Sequence, residues 1–135
     1  MIVYEHNPEL KVEEFIHVLE RSGLASRRPV DQPARIRQML AQANLIVTAR
    51  EQESGGLVGV ARALTDFSYC CYLSDLAVDQ AYQRQGIGRA LVEHTAALVG
   101  PACSLVLVSA PDALPFYRRI GMPAAEGVFL HRRQI

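Results

Sequence analysis

The stretch that most constrains this chain runs from Leu76 to Leu91 and reads LAVDQAYQRQGIGRAL. An apolar strand ends at Val78 and a polar turn follows. Gly86 and Gly88 then open an amphipathic helix with Ile87, Ala90, Leu91, His94 and Leu98 on one side. Gly100-Pro101 ends that helix, and Leu105-Val106-Leu107-Val108 reads as another strand. Strand, helix, strand in that order is a crossover joining two parallel strands. A glycine-containing turn that leads from a strand into a helix also leaves backbone N–H groups free to hold an anion such as a phosphate.

A Gly-x-Gly pair alone describes a tight turn equally well. Here Arg84 and Arg89 flank it, and it sits at the head of a crossover. It is not a P-loop, because no Gly-Lys-Ser/Thr follows. It is not a dinucleotide fingerprint, because the third glycine of that pattern falls on Leu91.

The chain before this point supplies helices and an antiparallel meander. Ile2-Val3-Tyr4 is a short strand. Val12, Phe15, Ile16 and Leu19 fall at helical spacing, and Ser22-Gly23 is a stop. Leu24 to Pro33 is a polar loop, with Arg27-Arg28 as a solvated pair and Asp31 as a candidate cap for a second helix carrying Ile36, Met39, Leu40 and Ala43. Leu45–Ala49 and Leu57–Leu64 surround Gly55-Gly56 as a hairpin, and Tyr69 to Val78 is the next strand. After the crossover, Asp112 is a candidate cap for a helix from Ala113 to Ile120, ended by Gly121, and Val128-Phe129-Leu130 reads as a last strand. The fold class is therefore α+β, a mostly antiparallel sheet with one parallel pair.

With 135 residues, a single domain over 1–135 is expected, with one hydrophobic core. Fourteen basic residues balance fourteen acidic ones, so net charge gives no argument for nucleic acid or a membrane surface as partner. No run approaches the roughly 20 apolar residues of a membrane span, and no signal peptide is visible. Three cysteines without CxxC or CxxH spacing read as reduced thiols, and four histidines without paired spacing give no metal site. A cytoplasmic location follows as the expectation.

The segment Gln83-Arg84-Gln85-Gly86-Ile87-Gly88 resembles the Q/R-x-x-G-x-G/A motif of the GCN5-related N-acetyltransferase (GNAT) superfamily. Leu76-Ala77-Val78 is similar to that family's fourth strand. Ala113-Leu114-Pro115-Phe116-Tyr117-Arg118-Arg119-Ile120-Gly121-Met122 resembles its Phe-Tyr-x-x-x-Gly-Phe element. The element order matches along the whole chain, whereas the motifs lie between Tyr72 and Met122.

This resemblance implies a GNAT-like twisted sheet with its fourth and fifth strands splayed around acetyl-CoA and about four flanking helices. Backbone N–H groups of Arg84, Gln85, Gly86, Ile87, Gly88 and Arg89 would hold the pyrophosphate, and the backbone of Leu76, Ala77 and Val78 would pair with the pantetheine arm. The Leu76 N–H would face the thioester oxygen as an oxyanion donor. Tyr117 matches the family's general acid, which protonates a thiolate whose thiol pKa is roughly 8.5; taken alone, it reads as a core aromatic beside Phe116. The implied reaction is transfer of acetyl to a primary amine of a small molecule or peptide by direct attack. A non-catalytic acyl-CoA-binding module and a transferase using a longer acyl-CoA are the competing readings.

Two departures leave the general base open. Ser104 to Ser109 carries no acid where the family often has a glutamate, and Ala110 stands at a common asparagine position. Asp75 is the nearest carboxylate on the fourth strand, as a base, as a partner for an arginine or as a residue facing water. A weakly basic acceptor needs less help: an α-amine (pKa roughly 7.7–8.0) is on the order of 10% neutral at pH 7, against well under 0.1% for a lysine. The loop holding Arg27-Arg28 matches the family's acceptor wall and is a candidate contact for an acidic acceptor. An uncovered sheet edge near the C-terminus gives a homodimer as the further expectation.

Overall fold

In the computed structural model, which describes residues 1–134, the chain runs β1 (Ile2–His6), α1 (Val12–Ser22), α2 (Pro33–Gln42), β2 (Leu45–Glu51), β3 (Leu57–Thr65), β4 (Cys70–Val78), α3 (Ile87–Val99), β5 (Ser104–Val106) and α4 (Leu114–Arg119). The strands form one sheet in the order β1-β2-β3-β4-β5. The first four are antiparallel and β4–β5 is parallel. This is the α+β class expected from the sequence, with four α-helices.

The helices bury opposite faces of that sheet. Phe15, Val18 and Leu19 of α1 and Ile36 of α2 pack with Ile46, Val60 and Ala77 on one side. Ile87, Leu91, Val92 and Val99 of α3 pack with Leu45, Val47, Ala61 and Leu73 on the other. Burying each large apolar side chain contributes about 1.5–3 kcal/mol. Because β2 and β3 are covered on both faces, they are buried almost continuously, whereas burial along β4 alternates.

The register of β3 against β4 steps from Arg62↔Asp75 to Ala63↔Leu73, leaving Ser74 as an extra residue on β4. Such a bulge bends its strand and increases the local twist. On the other side, β5 pairs with β4 only at Cys70, Cys71 and Tyr72. Beyond Tyr72 the two strands part, and β4 continues to Val78 with an open edge.

Several expectations are corrected. Val128-Phe129-Leu130 forms no strand, and Phe129 is 93% exposed. The fifth strand covers Ser104–Val106 rather than Leu105–Val108, too short an edge for a further ladder. Asp31 does not cap α2, whose N-cap is Gln32 with no side-chain bond. Asp112 lies inside a 3₁₀ turn, Pro111–Ala113, and caps nothing. Among the described residues, no helix is long and apolar enough to cross a membrane.

Candidate active site

The gap between β4 and β5 opens onto a cavity of about 930 Å³. Which β4 backbone groups face it follows from pairing parity. The Asp79 N–H donates to the Val58 carbonyl at 2.8 Å. Alternate residues of an antiparallel strand point their polar groups to the same neighbour. Ala77 therefore faces β3 as Asp79 does, while Leu76 and Val78 direct theirs into the gap. Before the bulge the parity is opposite: the Ser104 N–H donates to the Tyr69 carbonyl at 2.9 Å, so odd-numbered residues face β5. The single extra residue, Ser74, switches which set is presented. Of the three residues expected to offer backbone to a ligand, Leu76 and Val78 turn their polar groups into the gap and Ala77 turns its own toward β3. The Val78 carbonyl already accepts from Gln83 Nε2 at 3.0 Å.

The gap leads to the start of α3. Arg84 and Gly86 adopt left-handed backbone, φ +65° and +82°, with Gln85 between them. This folds the turn so that successive N–H groups converge, the geometry of an anion nest. From Arg84 to Arg89 no N–H donates to an acceptor among the described residues, and α3 has no side-chain cap. Those of Gly86 to Arg89 are the four unsatisfied donors of the helix N-terminus, with the positive end of its dipole behind them, and those of Arg84 and Gln85 belong to the turn before it.

The two glycines serve different ends. A Cβ at Gly86 would meet nothing within 4 Å, so its constraint is the positive φ. A Cβ at Gly88 would lie 2.9 Å from Phe116 Cζ. The second glycine thus makes room for the Phe116 ring, docking α4 on α3, while it also lines the cavity.

That docking places Tyr117 in the cavity wall, its ring edge-on to Phe116 with centroids 5.0 Å apart. Burial pushes the Tyr117 phenol above the usual tyrosine value, while the nearby Arg28 guanidinium pulls it down less strongly. The phenol therefore stays protonated through neutral pH.

Asp75 is fully buried, with both carboxylate oxygens engaged: Arg28 Nε donates to Oδ1 and Arg62 Nε to Oδ2. Arg28 Nη2 also donates to the Ser74 carbonyl at 2.7 Å, and Arg62 Nη2 to Ser74 Oγ at 3.0 Å. The two arginines thus brace the bulge from both sides and tie it to the loop after α1. This is the geometry of a structural anchor, not of a base that takes a substrate proton. Arg28 is likewise no solvated loop residue, its side chain being 18% exposed. Arg27 beside it is exposed and lines the cavity. Cys71 packs in the core, and Tyr72 lies on the outer surface rather than in the cavity wall.

The bulge at Ser74 and the bracing arginines are missed by sequence reasoning. One signal for them exists: Arg62 sits in an otherwise apolar strand beside another that holds Asp75, and two buried opposite charges on neighbouring strands suggest a pair. Arg28 gives no such signal, because a loop's partner is set by tertiary structure. Among the described residues no group of three or more His, Cys, Asp or Glu is placed to hold a metal ion.

Comparison with known proteins agrees with this architecture. A GCN5-related N-acetyltransferase of Arabidopsis thaliana, described as chloroplastic, is 35% identical over 81 residues, covering 58% of this chain and 31% of the relative. The chain spans about a third of the length of the curated relatives it matches. A GNAT-family acetyltransferase from Streptococcus pneumoniae superposes with a TM-score of 0.75 at 22% identity, covering 98% of this chain and all of that one. An aminoglycoside N-acetyltransferase solved in complex with CoA superposes with a TM-score of 0.71 at 16% identity, covering 100% of this chain and 96% of that one. The acetyltransferase (GNAT) domain family matches residues 42–121, from the end of α2 to the glycine after α4, and the chain belongs to that family.

Proposed function

We propose that the protein transfers acetyl from acetyl-CoA to a primary amine of a small molecule or peptide. The observation that carries this reading is the continuity of free backbone donors. The Leu76 N–H and the Val78 edge open into the gap, which leads to the uncapped N–H groups from Arg84 to Arg89. An extended amide-bearing arm with a pyrophosphate at one end fits such a path: strand-like pairing along β4, then an anion nest with Arg84 and Arg89 at its rim.

The amine nitrogen bonds to the thioester carbonyl carbon, the C–S bond breaks, and the amine's surplus proton passes to water. The Leu76 N–H stabilises the oxyanion that develops at the carbonyl. Tyr117 gives its phenolic proton to the departing thiolate and is reprotonated from solvent.

A second reading, a non-catalytic acyl-CoA-binding module, is favoured by one observation. The one carboxylate on β4, Asp75, is held by two arginines, which leaves no free carboxylate base on that strand. Release of CoA from acetyl-CoA across a panel of amines separates the two. Turnover with any amine supports the transferase, whereas tight CoA binding without turnover supports the binding module. The same assay with propionyl- and longer acyl-CoA tests the donor's chain length.

The reading extends to one domain over residues 1–135, a cytoplasmic location and a homodimer. The single sheet shared by both core clusters supports the first, and the outer edge of β5, unpaired among the described residues, supports the last.

A further inference from the structure

The charges around the cavity are one-sided. Its charged lining residues are Arg27, Arg28, Arg84, Arg89 and Arg119, against Asp112 alone. Four of the arginines fall at two ends. Arg84 and Arg89 flank the turn at the start of α3. Arg28 is bonded at Ser74, four residues back along β4 from Val78, which is about 13 Å at 3.3 Å per residue. Arg27 adjoins it, so this pair lies away from the phosphate nest and close to Tyr117.

At that far end positive charge is not cancelled. Arg28 and Arg62 share the single carboxylate of Asp75, so the three groups sum to one positive charge. Arg27 makes no side-chain hydrogen bond or ion pair among the described residues, and it is exposed to the cavity mouth. A polycationic amine would enter against this field, which Asp112 alone opposes among the charged lining residues.

We propose that the acceptor is a small primary amine that carries its own carboxylate, and that Arg27 binds that carboxylate beside the Arg28–Asp75–Arg62 cluster. The proposal rests on the transferase reading. It also eases the absence of a free carboxylate on β4: nearby positive charge disfavours the ammonium form of the acceptor, so more of it stands as the neutral nucleophile. Arg27 then sets specificity, while Arg28, engaged by Asp75 and Ser74, holds the wall rigid.

The test is titration calorimetry on the protein–CoA complex with glutamate, glutamine, butylamine and 1,4-diaminobutane, using wild type and Arg27→Gln. Glutamate is expected to bind at least about tenfold more tightly than the diamine, with glutamine and butylamine between them. Arg27→Gln should bring glutamate and the diamine to within about threefold of each other while leaving CoA affinity unchanged. A diamine that binds as well as glutamate, a preference that survives Arg27→Gln, or no binding by any of the four overturns the proposal. CoA release from acetyl-CoA with the same amines reads the transferase separately. Selective glutamate binding without release leaves the carboxylate site standing and removes the transferase, whereas release with the diamine in preference to glutamate does the reverse.

Discussion

The Phe116 ring occupies the space that a side chain at position 88 would need: a Cβ on Gly88 would lie 2.9 Å from its Cζ. One residue of the glycine turn is thereby coupled to the helix that carries Tyr117. Gly88→Ala should force the ring and α4 outward. Overpacking of this kind costs about 1–3 kcal/mol, partly offset by the higher helix propensity of alanine, about 1 kcal/mol. Urea denaturation should show a net loss, and kcat should fall more than CoA affinity. Wild-type stability together with wild-type kcat would show that the contact yields freely.

Gly86 should respond differently. Nothing lies within 4 Å of a Cβ there, but its φ is +82°. Gly86→Ala should fold with a loss of about 1–2 kcal/mol from the left-handed backbone alone. Gly86→Glu adds a negative charge at the nest and should abolish CoA binding in calorimetry while circular dichroism stays native. Unchanged CoA affinity in the folded Glu variant would remove the phosphate site from this turn.

The Tyr117 phenol titrates above its usual value because it is buried. A general acid works while it holds its proton, and a raised pKa extends that range upward. The wild-type rate should therefore rise with pH as the acceptor amine is deprotonated and show no decline from Tyr117 below about pH 10. Tyr117→Phe should lower kcat about 10²-fold with little change in CoA affinity. A Phe variant with wild-type kcat would exclude Tyr117 as the acid.

Asp75, itself without solvent access, is the one counter-charge shared by two guanidinium groups, of which Arg62 is also buried. Asp75→Asn keeps the size but leaves Arg62 buried without its counter-charge. Breaking a buried pair in this way costs about 3–5 kcal/mol. Chemical denaturation should show this loss. At temperatures where the variant remains folded, KM for the amine should rise more than that for acetyl-CoA. A loss below about 1 kcal/mol would mean that the cluster braces nothing.

Much of this protein is legible in its sequence because the controlling interactions are local. The spacing of Phe15, Ile16 and Leu19, the stop at Gly23 and the crossover from β4 through α3 to β5 depend on residues within a turn or two of each other. The free donors at Gly86–Arg89 are also a local property, since a helix start leaves its first four N–H groups unpaired within the helix. Tertiary structure decided the rest. Ser74 becomes a bulge only because β3 and β4 pair on both sides of it, and that one-residue slip determines that Leu76 rather than Ala77 faces the gap. Asp75 passed from candidate base to anchor because arginines 47 residues before it and 13 residues before it converge on one carboxylate. Gly88 proved to serve Phe116, a residue beyond the next strand. Pairing register and long-range side-chain contacts are set by the assembled sheet, and no local pattern in the chain encodes them.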